Sequence, residues 1–371
     1  MQAWFSRFVR SRAFSVLFCL LGVGLTFYLT SRLGRLAEGF FGLDIRLIVL
    51  LFLSALCLYM LVYVNTPSAE KKTRRLFNLC GIIFSFLPSV IACLLLFDAV
   101  RAVFGLQDAR LYLIPLALGI AVSGYGFAHA KKVYTKAYTL TVQGGKRELT
   151  AALISDIHAG SYVNRKQLHR IVDAVNGLEP DLVLMAGDTF DQDAFDHCDM
   201  EGVREELLRL RPKGQVYAVL GNHDPKSTHP EVQAYFASAG IRLLVDECAE
   251  TEDFILAGRD DILGNPERRS LHDLLSDVDR KKPVLVIDHN PLGIDEGIQA
   301  GAALIVCGHT HKGQFFPATY FTRWAYGDRG FYGHTQTGST HSVVSSGAGY
   351  FQLPVRIGTN SEVVALHIRR G

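Results

Sequence analysis

The sequence lacks the charge imbalance that would attract a polyanion. Its 38 lysines and arginines nearly balance 36 aspartates and glutamates, which leaves a formal net charge of +2 at pH 7. Domains that bind nucleic acid through its phosphates normally carry a clear positive excess. The composition therefore gives no reason to expect a nucleic-acid partner.

The sequence also lacks the cysteine pattern of a disulfide framework. None of its seven cysteines forms a Cys-x-x-Cys pair, and the C-terminal part holds three, an odd number. The seven are Cys19, Cys57, Cys80, Cys93, Cys198, Cys248 and Cys307. This usage argues against structural disulfides and favours a reducing compartment.

Apolar residues, in contrast, are in excess near the N-terminus. The hydrophobic fraction is 49% and the mean hydropathy is +0.18. Four apolar runs are each close to the length that crosses a bilayer as a helix. They are roughly Ala13–Thr30, Leu47–Val64, Leu76–Val100 and Leu111–Ala128. We therefore predict an α-helical bundle with four transmembrane helices over residues 1–130.

The basic residues that flank these runs predict their orientation. Ten lysines and arginines lie on the side of the N-terminus and of the exit from the fourth run, against five on the other side. Because the richer side normally faces the cytoplasm, we expect both termini there, in an inner or plasma membrane. The first run also fits an uncleaved signal sequence, although three further runs follow it.

Asp98 lies near the end of the third run. An acid at this depth is either a functional group inside the membrane or a residue that marks its interface. The interface is the simpler interpretation.

The composition changes at residues 131–147, where lysines, threonines and Gly144-Gly145 replace the apolar runs. We interpret this stretch as a linker and a first strand, followed by a second domain over residues 148–371. Within that domain, short apolar runs alternate with helical segments. This pattern is typical of an α/β fold with many parallel strands.

Five of the short apolar runs lead directly into similar polar segments. These are Ser155-Asp156-Ile157-His158, Gly187-Asp188-Thr189-Phe190-Asp191, Gly221-Asn222-His223-Asp224, Asp288-His289-Asn290-Pro291 and Gly308-His309-Thr310-His311. In open α/β sheets, ligand sites form just beyond the carboxyl ends of the strands. Five such ends are therefore expected to converge on one small polar volume.

The residue types in these segments indicate metal chemistry. Carboxylate and imidazole bind divalent or trivalent transition metals, and the absence of cysteine disfavours a thiolate zinc site. The candidate ligands are Asp156, His158, Asp188, Asn222, His289, His309 and His311. Seven are too many for one ion but suit two ions that share a carboxylate. Mn, Fe and Zn all remain compatible with these ligands.

Together these motifs resemble those of the calcineurin-like metallophosphoesterase family, over roughly residues 148–370. The form Gly308-His309-Thr310-His311-Lys312-Gly313-Gln314, with Ser345-Ser346-Gly347 and Pro354-Val355-Arg356, is similar to the membrane-associated branch typified by bacterial YkuE and YaeI proteins. Lys312 departs from that branch, which usually has glycine there, and adds a cation close to the site. The resemblance implies a four-layer α/β/β/α sandwich of two mixed sheets flanked by helices.

The resemblance also implies a role for each residue. Asp156, His158 and His311 would hold one metal. Asn222, His289 and His309 would hold the other, and Asp188 would bridge the two. His223 would face the leaving-group oxygen, oriented by Asp191. Asp224 would contact the ligand residues and not a metal. A hydroxide between the metals would attack phosphorus.

Other polar residues fit simpler roles. We expect five histidines outside the motifs to be ordinary surface or core residues, namely His169, His197, His229, His272 and His367. His334 and His341 lie in a late loop region, and both a role near the substrate and an ordinary structural role stay open for them. Arg259-Asp260-Asp261 follows an apolar run and is either a loop near the site or a solvated turn, of which the turn is the simpler interpretation.

The segment Phe315–Tyr332 contains eight aromatic residues in eighteen positions, with Arg323 and Arg329 among them. The rings either pack the segment against the domain or lie exposed at a lipid headgroup region. In the second case Phe321 and Trp324, together with Lys312, are candidates for contact with the substrate.

These observations predict a membrane-anchored, two-metal phosphoester hydrolase. The anchor favours a lipid-linked phosphodiester or pyrophosphate as substrate, by analogy alone. One alternative is a membrane sensor with an inactive phosphoesterase domain, and a complete ligand set argues against it. A transport protein with a regulatory domain is another, but Asp98 is nearly its only intramembrane polar candidate.

Overall fold

The computed structural model describes residues 12–64, 71–145, 147–160, 162–191, 194–276, 278 and 281–371. The chain divides into two compact units, a helical unit that ends at Ala128 and a second unit that begins at His129. Arg7 and Arg10, two of the basic residues behind the predicted orientation, lie outside the described residues.

Helices cover all four apolar runs of the first unit. They are α1 (Arg12–Phe41), α2 (Arg46–Val64), α3 (Lys71–Phe104) and α4 (Leu113–Ala130), with a short 3-10 turn at Ala109–Tyr112. Among the described residues, Leu76–Phe104 and Ala109–Ala130 are long and apolar enough to cross a membrane, while Arg46–Met60 is a shorter apolar helix. Four spans therefore stay a prediction.

Asp98 is a structural partner within this unit. Its Oδ2 accepts hydrogen bonds from the Tyr28 hydroxyl at 2.7 Å and from Arg32 Nε at 2.8 Å, and its Oδ1 accepts one from the Tyr112 hydroxyl at 2.7 Å. These bonds join α1, α3 and the 3-10 turn. The carboxylate thus holds helices together, a role that neither earlier interpretation included.

The second unit contains two six-stranded sheets. The first has the strand order β1-β12-β2-β3-β4-β5, from Val133–Val142, Ser361–Arg370, Leu149–Ile154, Leu182–Ala186, Val216–Val219 and Ile241–Leu243. The second has the order β10-β11-β9-β8-β7-β6, from Gly333–Thr337, Thr340–Val344, Leu304–Cys307, Val284–Ile287, Ile255–Gly258 and Glu247–Glu250. Both sheets are mixed, because β12 runs antiparallel to β2, and β10 and β6 run antiparallel to β11 and β7.

Apolar side chains of both sheets pack against each other in one shared core that includes Leu184, Leu285 and Val306. The opposite face of the first sheet packs on helices α5 (Arg165–Asn176), α6 (Ala194–His197), α7 (Met200–Leu207) and α8 (Pro230–Ser238). The opposite face of the second sheet packs on α9 (Leu271–Leu274) and α10 (Ile294–Gln299). The predicted α/β/β/α sandwich is therefore confirmed.

The parallel strands bring the polar segments to one edge. β2, β3 and β4 are parallel neighbours in one sheet, and β7, β8 and β9 are parallel neighbours in the other. Each of these strands is buried almost along its whole length, which explains its continuous run of apolar residues. Their carboxyl ends therefore carry the candidate ligands to adjacent positions.

Candidate metal centre

The first group of candidate ligands lies at the ends of β2 and β9. His158 Nε2 is 3.1 Å from His311 Nε2, which in turn is 3.3 Å from Asp156 Oδ1. All three side chains are buried. Their ligand atoms lie within 4.8 Å of one another, close enough for one ion.

The second group lies at the ends of β3, β4, β8 and β9, around His289 Nε2. Asn222 Oδ1 and His309 Nδ1 are each 3.2 Å from this nitrogen, and Asp188 Oδ2 is 3.3 Å away. Atoms that bind one ion at 2.0–2.2 Å are themselves separated by about 3 Å. The spacing is therefore that of a coordination shell.

Asp188 lies between the two groups. Its Oδ2 is 3.3 Å from His289 Nε2 and 3.6 Å from His158 Nε2, one nitrogen from each group. A second cluster of possible ligands, Asp156, Asp188 and His289, also crosses from one group to the other. The Asp188 carboxylate therefore lies next to a nitrogen of each group, and its bridging role stays a prediction.

The hydrogen bonding of His289 shows that this cluster fits a cation. Its Nδ1 lies 2.8 Å from the carbonyl oxygen of Ala186, which can only accept, so Nδ1 carries the proton. In the neutral ring Nε2 then points a lone pair at the oxygens of Asp188 and Asn222. Acceptors that face acceptors in a buried site are unfavourable unless positive charge lies between them.

The pKa values of the buried groups point the same way. Burial disfavours a charged His289, but Asp188 and Asp156 outweigh it and raise the pKa of His289 well above its ordinary value. Burial and the neighbouring imidazoles lower the pKa of His309 to about 3. The site thus favours positive charge near Asp188 and keeps His309 neutral, which is its metal-binding form.

The backbone at these strand ends is strained. Five ligand-bearing residues have a positive φ, namely Asp156, His158, Asp188, His309 and His311, with values between 48° and 72°. Non-glycine residues rarely adopt this region, and where they do it usually belongs to a functional site. The strained backbone of these turns therefore sets the direction in which the candidate ligand side chains point.

Residues 149–313 match the family model for the calcineurin-like phosphoesterase. These residues form a calcineurin-like phosphoesterase domain. The predicted resemblance is confirmed.

Curated relatives of this chain are named for the same kind of domain. The chain is 32% identical over 241 residues to a Danio rerio "Transmembrane protein with metallophosphoesterase domain", covering 60% of this chain and 53% of that protein. It is 30% identical over 230 residues to an uncharacterized metallophosphoesterase of Helicobacter pylori, covering 60% of each. It is 26% identical over 272 residues to the uncharacterized metallophosphoesterase YkuE of Bacillus subtilis, covering 68% of this chain and 93% of that one. The chain spans about half to three fifths of the length of the first two relatives.

His223 lies beside the candidate ligands of the phosphoesterase domain. Its backbone N–H donates to Asp188 Oδ1 at 2.8 Å, and its half-buried ring lies 5.3 Å from the ring of His158 and 4.8 Å from that of Phe351. Burial lowers the pKa of His223. The ring therefore stands at the edge of the cluster, free of the close nitrogen contacts that the ligand histidines make.

Asp191 has a different partner from the one predicted. Its Oδ1 lies 3.1 Å from Nδ1 of His158, so it orients this histidine rather than His223. The structure thus pairs Asp191 with His158, and its predicted role towards His223 stays a prediction. A carboxylate on the far nitrogen of a ligand histidine is a common feature of metal sites.

Asp224 holds two strand ends together. Its Oδ1 accepts from the Phe190 N–H at 2.8 Å and its Oδ2 from the Gly221 N–H at 2.9 Å. The loop that carries Asp188 is thereby tied to the loop that carries Asn222. Burial and the charge of Asp188 raise the pKa of Asp224 to about 7.

Lys312 points towards Tyr332. Its ammonium lies 4.2 Å from the centre of the Tyr332 ring, whose hydroxyl donates to Glu362. Burial lowers the pKa of Lys312. The extra cation predicted near the site thus contacts the Tyr332 ring.

Most of the aromatic segment forms helix α11 (Ala318–Phe331). Each of the two earlier interpretations, packed rings and exposed rings, fits some of its residues. Four of its rings are exposed, namely Phe316, Tyr320, Phe321 and Trp324. Phe315, Tyr326, Phe331 and Tyr332 are partly buried. Arg323 forms an ion pair with Asp328, and Arg329 forms one with Asp295.

Five further residues correct or extend the sequence analysis. Arg259-Asp260-Asp261 is not a solvated turn, since all three side chains are buried and Asp261 contributes to the pKa of His289. A solvated turn was expected because three adjacent charges are rarely buried together. His334 and His341 bond each other at 2.9 Å, outside the two ligand groups.

Proposed function

We propose that this chain hydrolyses phosphoesters with two transition-metal ions. The observation that carries the proposal is the geometry around His289, whose Nε2 lies 3.2–3.3 Å from oxygens of Asp188 and Asn222 and from Nδ1 of His309 in a buried site. Asp156, His158 and His311 would hold one ion. Asn222, His289 and His309 would hold the other, with Asp188 between them.

Two cations held by these residues would supply a water of lowered pKa and would offset the charge of the phosphoryl oxygens. The chain's own residues prepare that chemistry. Asp191 orients His158, and Asp224 keeps the two ligand-bearing loops together. We assign to His223, at the edge of the cluster, the donation of a proton to the departing oxygen.

Metal content and hydrolysis of bis-p-nitrophenyl phosphate test this proposal together. We expect the purified full chain, stripped with chelator and reloaded with Mn²⁺, to bind two ions and to regain hydrolysis. The proposal is contradicted if the loaded chain binds one ion or none, or if the chelator does not reduce hydrolysis. A loaded chain with two ions and no turnover on any phosphoester supports the alternative of a sensor with an inactive domain.

We propose further that the substrate is a lipid-linked phosphodiester or pyrophosphate and that the helical unit anchors the chain in a membrane. The support is the presence of two helices that are long and apolar enough to cross a bilayer. Product analysis with lipid-linked pyrophosphates and with matched soluble nucleotides tests the substrate. Faster turnover of the soluble compounds contradicts this choice.

The phosphoesterase domain is proposed to face the cytoplasm, from the bias of ten lysines and arginines to five. A reporter fused after Gly371 tests this orientation. Activity of a reporter that works only outside the cytoplasm contradicts it.

A further inference from the structure

We propose that the exposed rings next to the site form a surface that inserts among lipid headgroups, a proposal that rests on the membrane anchoring proposed above. This aromatic surface consists of Phe316, Tyr320, Phe321 and Trp324, which are exposed by 60%, 66%, 64% and 49%. Large rings grouped on a surface in this way normally mark a contact site.

Helical geometry places these rings together. Tyr320 and Trp324 are four residues apart and share one side of α11, with Phe321 next to them. The Phe316 ring lies 5.8 Å from that of Tyr320. Tyr326 lies about 200° around the helix from Trp324, which places it on the opposite side. The helix therefore has an outer aromatic side and an inner side that faces the site.

The chain itself indicates that the occupant is a lipid surface. Helix α4 is apolar enough to cross a bilayer and ends at Ala130, and β1 begins at Val133. The three backbone steps from Ala130 to Val133 span at most about 11 Å. A domain tethered this closely has the bilayer as its nearest large amphipathic partner, and the rings of tyrosine and tryptophan suit the boundary between headgroups and acyl chains.

Charge is expected to contribute little to this contact. Arg323 lies 2.6 Å from Asp328, and Arg329 pairs with Asp295, so the basic residues of the helix are balanced by acids. Binding through rings rather than through phosphate attraction should depend weakly on salt and on anionic lipid.

Trp324 offers a direct readout. The chain has two tryptophans, so Trp4→Phe leaves Trp324 as the single one. We expect the full chain in phosphatidylcholine vesicles to show quenching of Trp324 by lipids brominated near the headgroup. Iodide in the water should quench it less in vesicles than in a lipid-free detergent solution.

Two further variants sharpen this test. Tyr320→Ser with Phe321→Ser should reduce the lipid quenching, while Leu208→Ser, at an exposed apolar residue elsewhere in the domain, should not. Full iodide access without lipid quenching overturns the proposal. Iodide protection without lipid quenching also overturns it, since another protein surface then covers the rings. Because quenching needs no catalysis, loss of hydrolysis counts only against the proposed function.

A second observation concerns Tyr326 on the inner side of α11. Its hydroxyl oxygen lies 2.8 Å from His309 Nε2, and the other ring nitrogen of His309 faces His289 at 3.2 Å. Histidines that bind metals usually donate their far N–H to an acceptor. His158 and His289 have such partners in Asp191 and the Ala186 carbonyl. The geometry points to Tyr326 as the positioning residue for His309.

Tyr326→Phe tests this role because it removes the oxygen and keeps the ring. We expect the affinity for one of the two ions to fall by about 10–100-fold, measured by chelator competition. Tyr320→Phe, the same change on the outer side, should leave both affinities unchanged. Equal chelator midpoints for Tyr326→Phe and the parent chain overturn the assignment. A parent chain that binds fewer than two ions instead contradicts the proposed function.

Discussion

Two polar clusters lie in the two units of this protein, and they differ in how their acceptors are satisfied. In the helical unit, both oxygens of Asp98 receive hydrogen bonds from Tyr28, Arg32 and Tyr112. In the phosphoesterase domain, oxygens of Asp188 and Asn222 lie 3.3 Å and 3.2 Å from Nε2 of His289. The first cluster is complete within the chain, while the second has the spacing of a coordination shell.

This difference separates a structural cluster from a ligand site. Both contain buried or half-buried charge and would attract attention in a sequence. A carboxylate whose partners are all donors stabilises its surroundings without help. Acceptors arranged around one another at about 3 Å are stable only when a proton or a metal ion lies between them. The predictions below test this contrast, in order of their expected effect on turnover.

Asp188→Ala should have the largest effect. Its carboxylate lies beside both ligand groups, so its loss should release most of the bound metal and lower turnover by at least about 10⁴-fold. Metal analysis and ester hydrolysis check this result. Asp173→Ala, at a half-exposed carboxylate on α5, is the matched control and should change neither. Retention of two ions by the Asp188 variant would show that this residue is not the bridge.

His223→Ala should keep both ions but lose turnover selectively. We expect a loss of about 10²-fold for alkyl esters and a much smaller loss for p-nitrophenyl esters, whose leaving group needs little protonation. Turnover of the two ester classes, with metal content as control, checks this expectation. Parallel losses on both classes count against proton donation.

Asp191→Asn should have a moderate effect through His158. The variant keeps the shape but weakens the acceptor on His158 Nδ1, so we expect the affinity for one ion to fall by about 10-fold. Chelator competition measures this change. An unchanged affinity, with a loss only on alkyl esters, would instead restore the pairing with His223.

Asp98→Asn should leave turnover and metal content unchanged. It removes the charge that pairs with Arg32, so we expect the helical unit to lose about 1–3 kcal/mol of stability. Thermal unfolding of the full chain in detergent measures this loss. Reduced hydrolysis at unchanged stability would identify Asp98 as a functional acid and remove the contrast between the two clusters.

Much of the candidate site is predictable because its signals are local in the sequence. Each ligand directly follows a short apolar strand, as Asp156 follows Leu149–Ile154 and His309 follows Leu304–Cys307. Parallel strands end at a common edge, so the order of residue types predicts both the convergence and the chemistry. The α/β/β/α sandwich came from the family resemblance, since periodicity does not distinguish one sheet from two.

Local sequence patterns do not predict the contacts between distant segments. Asp191 bonds His158 across 33 positions, and the choice between His158 and His223 depends on the turn after β3. The burial of Asp261 depends on the loops packed around it, while its sequence resembles a solvated turn. Such outcomes follow from packing and not from local residue preference.

The sequence by itself determined the seven candidate ligands, the apolar helices and the α/β pattern, because each depends on the order of neighbouring residues. Only the tertiary structure decided that Tyr326 faces His309, that Asp98 is fully bonded, and that four rings around α11 lie exposed. The physical reason is that hydrogen-bond partners and exposure are properties of two surfaces brought together, and a single segment specifies only one of them.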